Sequence, residues 1–137
     1  MLARVAESIG APSLAARGQS PLAPVLEDAA VRAALRKCDD LGGVAGHRSV
    51  VEALRALFRD LRELGTTAQQ RVAYAGGSRM AAASFRAFDE YRAAVLERKL
   101  YDETDLLDAA ASVLRAGAGR AADELGHVMA FLPGRWS

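Results

Sequence analysis

The chain has 137 residues, 51% hydrophobic and 26% charged, with a formal net charge of +1 at pH 7. That is the size of one domain with a core of its own and the composition of a folded chain, which excludes a stapled mini-protein and a disordered segment. A charge so close to zero provides no bulk field toward nucleic acid or an anionic membrane, so any such binding has to come from a local stripe.

Cys38 is the single cysteine, which leaves no intramolecular disulfide and no cysteine-based metal cluster and suits a reducing cytoplasm. Arg4 and Glu7 interrupt the first segment where a signal peptide would be apolar, and no run approaches membrane-spanning length. The expectation is a cytoplasmic protein with no membrane partner. The cations are almost all arginine, Lys37 and Lys99 being the lysines, and they are spread along the whole chain.

Leu2, Val5, Ile9 and Leu14 lie around Gly10-Ala11-Pro12, which predicts a short helix, a turn and a further helical turn. Residues 17 to 21 read as a linker. Pro24 suits the first turn of a second helix that runs to about Lys37, with Leu22, Val25, Leu26, Ala29 and Ala33 on its apolar face. Residues 39 to 43 end it in an exposed loop.

The clearest periodicity runs from Ser49 to Leu64, where Val50, Val51, Leu54, Leu57, Phe58, Leu61 and Leu64 form one apolar stripe closed by Gly65. Thr66 and Thr67, each followed three residues later by Gln69 or Gln70, predict a capping box and a short helix ending at Gly76-Gly77. Ser78 then caps the longest helix, with Met80, Phe85, Phe88, Tyr91 or Arg92, Val95 and Leu96 at helical spacing. After a break at Tyr101-Asp102, Asp102 and Asp105 open a last helix that buries Leu106, Leu107, Ala110 and Leu114.

Gly117, Gly119 and Gly126 mark a loop with a helical turn over residues 120 to 124, and residues 128 to 132 read as a buried strand closed by Pro133-Gly134. The expected fold is mostly α, about six helices in an orthogonal or bundle-like array with one short C-terminal β-strand. Residues 1 to 125 form the helical part, and residues 126 to 137 a strand and tail leading into a sheet that the chain itself lacks. That sheet belongs either to another subunit or to a longer protein of which this chain is a fragment.

No catalytic constellation is visible. Asp102, Glu103, Asp105 and Asp108 form an acidic cluster, but on one helix start they read as capping and a solvated face rather than a metal site. His47 and His127 have no partner spaced for a triad or a zinc pair and read as cap or loop residues. No glycine-rich phosphate loop precedes Lys37 or Lys99, so neither a nucleotide nor another cofactor is expected. The remaining feature is the row Arg48, Arg55, Arg59 and Arg62, placed to track a phosphate backbone but interleaved with Glu52, Asp60 and Glu63.

Three stretches carry a resemblance. Residues 14 to 22 (LAARGQSPL), 44 to 54 (VAGHRSVVEAL) and 101 to 107 (YDETDLL), the last leading to 125 to 133 (LGHVMAFLP), resemble in this order a segment of AddB-like proteins of the PD-(D/E)XK nuclease family. Those proteins join a helicase-like region, related to UvrD/RecB helicases, to a C-terminal nuclease. The resemblance implies a helical subdomain inserted in the first RecA-like domain, acting in DNA repair or recombination by contacting DNA rather than by catalysis. It implies Arg48, Arg55, Arg59 and Arg62 as the DNA-binding residues and a helicase-nuclease subunit as a partner. The strand at residues 128 to 132 runs into Pro133-Gly134-Arg135 where active helicases keep acidic residues, which implies the degenerate, non-hydrolysing kind. The phosphate loop and the nuclease residues would lie outside the chain, so no catalytic or metal-binding residue is assigned. The alternative to this reading is a stand-alone helical protein-protein interaction module.

Overall fold

In a computed structural model of the chain the described residues are 2 to 117, with side chains described from Arg4 onward. The expected helical turn at 120 to 124, His127 and the strand at 128 to 132 lie outside the described residues. The architecture is mostly α, with six helices and a two-stranded parallel sheet among the described residues. The elements are α1 (Leu2–Ala16), β1 (Ser20–Pro21), α2 (Pro24–Lys37), a 3-10 turn (Gly42–Val44), α3 (Arg48–Glu63), α4 (Ala68–Ala75), α5 (Arg79–Glu97), β2 (Leu100–Tyr101) and α6 (Glu103–Arg115). The described residues fall into two compact units, one of residues 2 to 17 with 105 to 117 and one of residues 18 to 104.

In the first unit α1 runs unbroken through Pro12, where the sequence predicts a turn. An internal proline removes one backbone donor and costs about 3 kcal/mol. Burial of Ala6, Ile9 and Leu14 on either side of it offsets that loss. Ala6 and Ile9 pack with Ala110 of α6, flanked by Val5, Leu106 and Val113. Gly10 lies inside this contact: a Cβ there would stand 2.6 Å from the Leu106 carbonyl oxygen and 3.0 Å from the Ala110 nitrogen. The glycine that reads as a helix breaker is therefore where two backbones touch. On α6 the burial falls on Ala109 and Ala110, while Leu107 and Leu114 are about half exposed, at 47% and 50%.

In the second unit α3 keeps the face its periodicity predicts. Val51, Leu54, Phe58 and Leu61 are buried, and the stripe stops one residue short because Leu64 is 75% exposed. The helix ends in a Schellman motif: Gly65, at φ 60°, donates to the Arg62 carbonyl at 3.1 Å and Thr66 to that of Leu61 at 3.4 Å. The capping box of α4 is present in both halves, Gln70 N to Thr67 Oγ1 at 3.2 Å and Thr67 N to Gln70 Oε1 at 2.8 Å. The Ser78 hydroxyl accepts from Ala81 N at 3.3 Å and caps α5.

The packing face of α2 differs from expectation, whereas that of α5 keeps the expected Phe88, Tyr91 and Val95 but not Met80 and Leu96. On α2 the buried residues are Ala30, Val31, Ala34 and Leu35, whereas Val25 is 79% exposed and Leu26 40%. On α5 they are Ala83, Ser84, Ala87, Phe88, Tyr91 and Val95, and Met80 and Leu96 face outward. α2 and α5 form the most extensive helix pair, and each buries alanines there together with larger side chains, Val31 and Leu35 on α2 and Phe88, Tyr91 and Val95 on α5. Phe58 of α3 closes the core against Phe88 edge-on, with centroids 5.5 Å apart, and against Tyr91 at 5.2 Å.

The unit is closed by β1 and β2, in register Ser20 to Leu100 and Pro21 to Tyr101. Ser20 N donates to the Lys99 carbonyl at 2.9 Å and Leu22 N to that of Tyr101 at 2.8 Å. Lys99, at φ 54°, makes the turn out of α5 in the left-handed region that a non-glycine residue seldom enters. Strands of two residues carry no periodicity, so nothing in the sequence announces them.

The Gly10 contact leads to a stability prediction. Gly10→Ala removes a flexible residue from a helix, which by propensity alone would stabilise it by roughly 0.5 to 1 kcal/mol. The clash reverses the sign, and a loss of about 1 to 3 kcal/mol in urea unfolding is expected. A gain in stability would show that the α1 and α6 backbones are not in contact.

Candidate nucleic-acid interface

α3 carries all four arginines of the sequence-predicted row, and the structure sends them to different surroundings. Arg48, in the first turn, donates through Nε to Glu52 at 2.7 Å, and its side chain is 87% exposed. Its guanidinium is held above its usual pKa, first by the hydrogen bond to Glu52 and then by that charge. Arg59 is exposed, in the C-terminal half of the helix. Arg55 instead turns toward α2 and pairs with Glu27, and its Nε is buried without an acceptor among the described residues. Arg62 forms a two-point contact with Asp102, Nε to Oδ2 at 2.9 Å and Nη2 to Oδ1 at 3.2 Å.

Asp102 is shared. Arg92 of α5 donates to its Oδ2 at 2.9 Å, and the side chains of Arg62, Arg92 and Asp102 are 20%, 14% and 18% exposed. The acidic turn that reads from sequence as a helix cap is thus also the meeting point of α3, α5 and the residue following β2. Glu103 and Asp108 are exposed, and among the described residues no three histidine, cysteine or carboxylate side chains come together as a metal site. His47 stands at the N-cap position of α3, but its side chain makes no capping bond. Tyr91 is buried beside this cluster. Burial first, and then the nearby carboxylates of Glu27 and Asp102, push its phenol from 10.0 up to about 12.

Two further arginine sites lie on α4 and α5, and neither stands out in the sequence. Asp40, in the turn after α2, accepts from Arg79 at 2.8 Å through Nε and from Arg86 at 2.9 Å; the Arg79 hydrogen bond is the main reason its carboxyl lies below the usual range. Cys38 is buried close by, and burial raises its thiol pKa, the reverse of what a reactive thiolate needs.

Arg71 of α4 is buried. It lies 5.0 Å from the Phe88 ring centroid, donates to the Thr66 carbonyl at 2.7 Å and pairs with Asp89. It lines a groove of about 320 Å³ between α4 and α5, with Ala68, Val72, Ala75, Ala82 and Phe85 as the apolar part of the wall. An arginine in the otherwise small and apolar stretch R-V-A-Y-A is the one hint of this in the sequence.

Comparison with known protein families, curated proteins and solved structures finds no match to this chain.

The contrast between inward and outward arginines is measurable. Asp102→Ala leaves two mostly buried guanidinium groups without this carboxylate, and a loss of roughly 2 to 4 kcal/mol in urea unfolding is expected. Arg48→Ala removes an exposed i, i+4 pair, and its effect on stability should be far smaller than that of Asp102→Ala. Equal effects would contradict the division of the row. Tyr91 gives a pH test. A phenol whose pKa is raised on folding stabilises the folded state below its unfolded value of 10.0, and that contribution disappears as pH rises to about 12. Unfolding free energy should fall across that window, and by less in Tyr91→Phe.

Proposed function

We propose that the chain is a non-catalytic helical DNA-contacting part of a helicase-nuclease of the AddB-like kind, acting in DNA repair or recombination, with Arg59 and Arg48 as its phosphate contacts. The observation that carries the residue assignment is the outward position of these two arginines on α3. They are separated by three helical turns, about 16 Å along the axis. A phosphate would have to displace Glu27 or Asp102 to reach Arg55 or Arg62, so those two serve the framework. The resemblance of residues 14 to 22, 44 to 54 and 101 to 107 to AddB-like proteins supplies the biological setting. With a net charge of +1, contact of this kind is local and salt-sensitive rather than driven by a field over the whole molecule.

The test is the affinity of the chain for fluorescein-labelled single-stranded and duplex DNA, measured by anisotropy across a salt series. Replacing Arg48 and Arg59 by glutamine should weaken binding and reduce the salt slope by about one unit for each arginine replaced, with helical circular dichroism unchanged. An unaltered affinity and slope would refute the assignment.

A second reading, a stand-alone helical interaction module, is favoured by apolar side chains on and beside α4: Val72 is 76% exposed, Tyr74 64% and Met80 63%. It predicts a dimer in sedimentation velocity without DNA affinity, dissociated by Val72→Lys. A monomer at every concentration, with DNA affinity, would count against it.

A further inference from the structure

We draw no further inference here: the strongest candidate, the apolar groove between α4 and α5 with the buried Arg71 in its wall, carries none because nothing in the structure shows what covers it.

Discussion

One carboxylate, that of Asp102, holds together the place where residues 18 to 104 begin and end. Two guanidinium groups reach it, Arg62 from α3 and Arg92 from α5, and all three side chains are mostly buried. Immediately before it, β2 pairs with β1, so the first and last segments of the unit run side by side. A parallel pair of two residues each has little stability of its own. The ion pairs and the helices behind it hold it in place. Charged groups taken this far from water are costly to leave unpaired, so removing the carboxylate costs more than the pair itself adds to stability.

The same constraint governs what the surface can offer. Of the four arginines along α3, the two that point toward neighbouring elements find carboxylates there, Glu27 and Asp102, while Arg48 and Arg59 remain outside. A row that looks continuous in sequence is therefore an inner and an outer pair, the inner one engaged with carboxylates of neighbouring elements. Arg71 follows the inner pattern more fully: stacked on Phe88 and bonded to Thr66 and Asp89, it ties α4 to α5.

Small residues set the geometry behind these contacts. Ala30 and Ala34 on α2 and Ala83 and Ala87 on α5 are buried in one core, and Gly10 lets α1 meet α6 backbone to backbone. The larger side chains Val31, Leu35, Phe88, Tyr91 and Val95 lie in the same core, while Val25, Met80 and Leu96 are exposed. Where a helix meets its neighbour through a bulkier stripe, as α3 does with Val51, Leu54, Phe58 and Leu61, the apolar period and the buried face coincide.

The sequence by itself determined what depends on near neighbours in the chain. The capping box of Thr67 and Gln70, the Ser78 cap, the glycine stops at Gly65 and Gly76 and the buried stripe of α3 are local matters of side chain to backbone bonding or of a period of 3.6. The mostly α character followed from those. Only the tertiary structure decided the continuation of α1 through Pro12, the alanine faces of α2 and α5, the β1 and β2 pair, and the partners of Arg55 and Arg62. Those partners lie 28 and 40 residues away in the chain, beyond the reach of any helical spacing. An arginine reads the same in sequence whether it faces water or a distant carboxylate, and the packing of the helices alone separates the two.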